Sequence, residues 1–156
     1  MKPGSLINIC SDDKMILHST TAIVVKKEPK RRTKSASNCS KFLLIKRGHK
    51  PEKGYWAVPG GHVDKGETPY PCAQREAREE VGEVEILSKK PVYVFVHDID
   101  IGHRHKAHVF MGKAVGKLSA KSDAKKLGWF TLKQMRKIEV THYTKKVFNK
   151  LYSRFV

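Results

Sequence analysis

The chain has 156 residues, 39% hydrophobic and 30% charged, and its 32 lysines and arginines outweigh 15 acidic residues for a net charge of +17. That is the length of one domain with an ordinary core, and with no apolar run near the roughly 20 residues that cross a bilayer, a soluble protein without membrane contact is expected. Three widely spaced cysteines and an N-terminus without a long apolar core, MKPGSLINICSDDK, argue against a disulfide framework and a signal peptide, and point to the cytoplasm.

In chain order, the β-branched run Thr20–Val25 predicts a first strand. It leads into KKEPKRRTK, Lys26–Lys34, the densest basic run, which has the makeup of a solvated hairpin loop over residues 26–41. Nucleic-acid binding is the rival reading of that run, although no aromatic residue there offers a platform for bases. The overall positive field attracts nucleotides, RNA or other polyphosphates without choosing among them. Further strands are predicted at Phe42–Lys46, Tyr55–Val58, Val92–His97 and Ala107–Val115. Between the last two, HDIDIGHRHKAH (His97–His108) matches no structural zinc spacing and reads as a polar loop. Helices are predicted over Pro69–Val81, over Thr131–Lys137, and along the tail from Thr141, where Val140, Tyr143, Val147, Phe148 and Leu151 recur at helical spacing. Strands and helices interleave, so a single α/β layered domain over residues 1–156 is expected.

The acid is unevenly placed. Between Gly60 and Glu85 stand seven of the fifteen acidic residues against three basic ones, a net −4 that leaves +21 for the rest. Thr68 is a good N-cap, and Pro69 and Pro71 fall in the first turn, where a missing N–H costs no helical bond. At about 100° per residue Glu76, Glu79 and Glu80 share one arc, beside a narrow stripe of Ala73, Ala77 and Val81. Like charges at this spacing repel by roughly a few tenths of a kcal/mol per pair. A solvated acidic face would interleave lysines, which are abundant elsewhere and missing here. A hard divalent cation, which takes oxygen ligands, offsets the repulsion. Arg75 projects from another side of the helix and could pair with Glu67, while Gly60 and Gly61 let a ligand approach the backbone.

The run Gly61, five residues, Glu67, seven residues, Arg75-Glu76-Ala77-Arg78-Glu79-Glu80-Val81-Gly82 resembles the signature box of the Nudix hydrolases. Ala77 stands where the pattern has a larger aliphatic residue, and Glu83 where it has an apolar one. FLLIKRGHKPEKGYWAVPGG and DAKKLGWFTLKQM extend the resemblance, which covers most of residues 20–151. It implies an α/β/α sandwich with a mixed sheet and hydrolysis of a nucleoside diphosphate linked to another moiety. It further implies Glu76, Glu79, Glu80 and the Gly61 carbonyl as ligands of Mg²⁺ or Mn²⁺, and Glu67 with Arg75 as a structural pair. Asp123 is a candidate additional ligand or base, and Trp56, Arg104 and His105 are candidate substrate contacts. The segments outside the box look most like small ADP-ribose pyrophosphatases. Oxidised nucleoside triphosphates, diadenosine polyphosphates, nucleotide sugars and RNA 5′ ends are alternative substrates, and a non-catalytic nucleotide- or RNA-binding module is the alternative to an enzyme.

Overall fold

A computed structural model describes residues 15–29 and 39–152. The N-terminal segment, residues 30–38 of the basic loop and residues 153–156 of the tail lie outside the described residues. Among the described residues, eight strands and three helices follow in order: β1 (Ile16–Lys27), β2 (Lys41–Arg47), β3 (Trp56–Ala57), β4 (Gly60–His62), α1 (Pro69–Glu80), β5 (Gly82–Ile86), β6 (Tyr93–Asp100), β7 (His103–Leu118), β8 (Ala124–Phe130), α2 (Leu132–Met135) and α3 (His142–Leu151). The strands form one mixed network in the order β3-β2-β1-β7-β5, with β4 on β1, β6 on β7 and β8 on β2. β1 and β7 are parallel, from Ile16 opposite His103 to Val25 opposite Gly112, and the other ladders are antiparallel.

Six consecutive residues of β1, Thr20–Val25, are buried. Such a continuous run means that both faces of the strand are covered. Ala22 and Val24 face a cluster with Phe42, Leu44, Val109, Val147 and Phe148, under α3. Ile23 and Val25 face the opposite cluster with Phe110, Ala73, Ala77 and Val81, under α1. The fold is therefore the expected α/β/α sandwich. The alanine stripe brings α1 close to the sheet, and Phe42 meets Phe148 edge-on with ring centres 5.1 Å apart.

Several local expectations are corrected. Thr68 occupies the N-cap with extended backbone, but its side chain makes no capping hydrogen bond. The segment His97–His108 is a hairpin rather than a loop, with β6 and β7 pairing His97 with His105 around a short turn. Strands β4, β5 and β8 were hidden by glycine, glutamate and lysine, residues with little intrinsic strand preference, and are held by pairing with β1, β7 and β2. Glu83, the departure after Gly82, has a place in that pairing. Its Oε2 accepts the Lys117 N–H at 2.9 Å beside the irregularity between Gly82 and Val84.

Candidate active site

The site begins where β3 gives way to a chain reversal. Pro59 has no N–H to give, but its carbonyl accepts the Ile23 N–H at 2.8 Å, which ties this corner to the central strand. Gly60 follows at φ +153°, and a β-carbon there would collide with the Thr21 carbonyl. Gly61 is required for a different reason, since a β-carbon would stand 2.5 Å from the Glu76 carboxylate. β4 then pairs with β1, and the turn after it closes on itself. Glu67 donates its N–H to the Asp64 carbonyl at 2.9 Å and takes the Asp64 N–H on Oε1 at 3.0 Å. Pro69 starts α1, whose buried stripe faces the sheet, with Glu76 against Gly61, Glu80 on the Gly60 N–H, and Glu79 more exposed beside Arg75.

Arg75 lies among these carboxylates and not apart from them, a correction to its expected position. It grips Glu67 with two bonds, Nε to Oε2 at 2.9 Å and Nη2 to Oε1 at 3.0 Å. From Nη1 it also donates to Glu76 at 3.0 Å and to Glu79 at 2.9 Å, and Asp64 stands 3.4 Å away. The bidentate hydrogen bond holds the Glu67 carboxyl down at about 2. Arg75 is thus the group that offsets the glutamate repulsion in the protein alone.

Glu80 stands differently. Burial pushes its carboxyl up to about 7, opposed by the Gly60 N–H, which it accepts on Oε1 at 2.8 Å; the charges of Glu76 and Asp123 add to the rise and Arg47 opposes it. Burial also raises Glu76, while Arg75 lowers it. Two neighbouring carboxylates are therefore held in surroundings that disfavour their negative charge, as a cation-binding site is before its ion arrives. Among the described residues no three His, Cys, Asp or Glu side chains already enclose a point suited to an ion. The donor set nevertheless fits a hard divalent cation. Glu76 adjoins the space that Gly61 keeps clear of a β-carbon and Glu80 meets the Gly60 N–H, and carboxylate oxygens are the donors such an ion takes.

The remaining expected residues divide. Asp123 lies at the start of β8, close enough to influence Glu80, and its carbonyl accepts the Gly48 N–H at 3.0 Å. Trp56 is built into the frame: its N–H and carbonyl bond to Glu139 and Thr141, and its ring lies 4.8 Å from that of Phe130. Arg104 pairs with Asp98 at 2.7 Å and lines a surface cavity with His97, Lys146 and Lys150. His105 sits in a group of imidazoles that includes His62, next to Gly61. Sequence reasoning missed Thr21 and Cys72, both buried beneath the glycine corner. The Thr21 hydroxyl lies 3.4 Å from both the Gly61 N and O and 3.5 Å from Cys72 Sγ, which in turn donates to the His62 carbonyl at 3.4 Å. The burial of Cys72 on the alanine face of α1 was the available signal, and its thiol is pushed up to about 11 by that burial.

The sequence pattern of the NUDIX domain matches residues 18–151. Over 104 residues the chain is 36% identical to an ADP-ribose pyrophosphatase of Methanocaldococcus jannaschii, covering 66% of this chain and 62% of that protein. Over 63 residues it is 38% identical to an RNA pyrophosphohydrolase of Helicobacter pylori strain G27, covering 39% of this chain and 40% of that one. The chain thus spans less than two thirds of the length of either relative. Among solved structures, a MutT NUDIX hydrolase from Burkholderia pseudomallei superposes with a TM-score of 0.67 at 26% identity, covering 86% of this chain and 98% of that one.

Proposed function

The chain belongs to the Nudix family, and from that membership we propose that it is a metal-dependent pyrophosphohydrolase acting on a nucleoside diphosphate derivative, with ADP-ribose as the favoured substrate. The observation that carries this reading is the glutamate group of α1 set against the glycine corner, with Glu80 held near neutrality. Glu76, Glu79, Glu80 and the Gly61 carbonyl would hold Mg²⁺ or Mn²⁺. When bound, such an ion neutralises pyrophosphate charge and makes a water a better nucleophile.

The chain's own residues do the rest. Glu67 and Arg75 lock the turn after β4 to α1, so the Gly61 carbonyl and the α1 carboxylates keep a fixed relation. The Gly60 N–H occupies Glu80 Oε1 and orients that carboxylate, which leaves Oε2 to face a ligand or carry a proton. Arg75 Nη1 can release Glu76 and Glu79 while its other nitrogens keep Glu67. Asp123, at the start of β8, is the candidate additional ligand or base, and Trp56, Arg104 and His105 are the candidate substrate contacts. The basic remainder of the chain draws a polyphosphate toward this acidic corner.

ADP-ribose is favoured because the longer of the two matches is to an ADP-ribose pyrophosphatase. RNA 5′ ends are the second reading, favoured by the net charge and by the shorter match to an RNA pyrophosphohydrolase. The test is product formation from ADP-ribose, nucleotide sugars, oxidised dGTP, diadenosine polyphosphates and 5′-triphosphorylated RNA, with Mg²⁺ or Mn²⁺. Preferred cleavage of ADP-ribose to AMP and ribose 5-phosphate is expected. Activity on none of them, with tight metal-independent RNA binding, would overturn the enzyme reading.

A further inference from the structure

We propose that His18, His62, His103 and His105 form a second metal site, for a borderline divalent ion of the zinc type, with imidazole donors unlike the oxygen donors of α1. Strand register brings the four together. Parallel pairing sets His18 opposite His105 and Ile16 opposite His103, and antiparallel pairing sets His62 opposite Thr20, two residues on from His18. Residues two apart on a strand share a face, so all four rings emerge on the same side of the sheet.

The rings make a closed circuit. His18 to His103, His103 to His105 and His105 to His62 are each 5.0 Å between centres, and His62 to His18 is 5.6 Å. Around a tetrahedral ion with Zn–N bonds of about 2.0–2.1 Å, each ring centre lies about 3 Å from the ion and two centres lie about 5 Å apart. The interplanar angles along the circuit are 63° to 87°, and across it His18 and His105 stand 6.0 Å apart at 45°.

A second observation points the same way. Nε2 of His103 and Nε2 of His105 are buried without a hydrogen-bond partner, as are both ring nitrogens of the adjoining His97. A buried polar atom left unpaired is costly, a penalty that a bound ion removes. Three donors do not yet enclose a point among the described residues, so closure requires rotation of the rings, and those of His18 and His62 are at the surface.

The test uses the full chain without a polyhistidine tag, with Mg²⁺ in excess to fill any oxygen site. Titration with Co²⁺, read from its visible absorption and reversed by Zn²⁺, is expected to show one equivalent bound. In H18Q/H105Q its affinity should fall at least tenfold, and in E79Q it should be unchanged. X-ray absorption of the Zn²⁺-loaded wild type should show imidazole scattering, a readout independent of whether the histidine variant folds. Unchanged Co²⁺ affinity in folded H18Q/H105Q, loss in E79Q alone, or an oxygen-only shell would each overturn the site. Hydrolysis supported by Mg²⁺ tests the proposed activity separately.

Discussion

Gly61 can gain a β-carbon only if the Glu76 carboxylate moves aside. Its place is bounded by the Glu76 carboxylate, 2.5 Å from where a methyl group would stand, and no positive φ is involved. Gly61→Ala should therefore displace Glu76 and lower kcat on the order of 100-fold, as a misplacement of about an ångström does. Urea unfolding of the same variant checks that the fold survives, and wild-type kcat would contradict the role. Glu80 allows a test by pH. Its carboxyl rises from 4.5 to about 7 in the folded, metal-free protein, so the fold holds that proton more tightly than the unfolded chain does. Glu80 thus favours the fold most below pH 4.5, and that contribution is lost as pH rises toward 7. Glu67 acts in the opposite sense, with a carboxyl lowered from 4.5 to about 2, so its contribution is present above 4.5 and lost as pH falls toward 2. Metal-free Glu80→Gln should be more stable than wild type above pH 7, by roughly 1–3 kcal/mol, with the gain gone by pH 4.5. Denaturant titrations at the two pH values check this, and a gap independent of pH would contradict it.

At the scale of elements, helices and buried strands could be read from the sequence because their patterns are self-contained. The α1 stripe of Ala73, Ala77 and Val81 and the β1 run Thr20–Val25 each declare their packing, and all of these residues are buried. The strands that escaped notice owe their existence to partners. β8 reads as lysine-rich, yet Phe42 pairs with Phe130 and Leu43 with Trp129 across its ladder to β2. The same limit applies within the site: the box spacing identified Glu67 and Arg75 as a pair, but Nη1 of Arg75 reaching Glu76 and Glu79 depends on rotamers that no spacing records. The imidazole circuit arises from strand register, and the Gly60 N–H on Glu80 from the seating of α1 against the start of β4, both across distant segments. α3 offers a test of the packing account. Phe148 is fully buried against Phe42 and remote in kind from the glutamates, so Phe148→Ala should cost about 3–5 kcal/mol in urea. A loss below about 1 kcal/mol would contradict the central place given to the α3 face.

Across the whole molecule, charge separation is the feature that composition announces and the fold uses. An acidic corner sits in a chain of net charge +17, and the surrounding field favours anions from a distance while the proposed ion would offset the charge of the corner itself. Salt should screen the first effect, so kcat/KM for ADP-ribose should fall several-fold from low to high ionic strength with kcat little changed. Steady-state kinetics across a salt series checks this, and a salt-independent kcat/KM would remove steering from the account. The most direct test of the central claim is turnover of ADP-ribose with Mg²⁺ by Glu79→Gln and Glu80→Gln, beside circular dichroism of each variant. A loss of orders of magnitude in kcat is expected in both, with the fold retained. Wild-type turnover in both folded variants would contradict it.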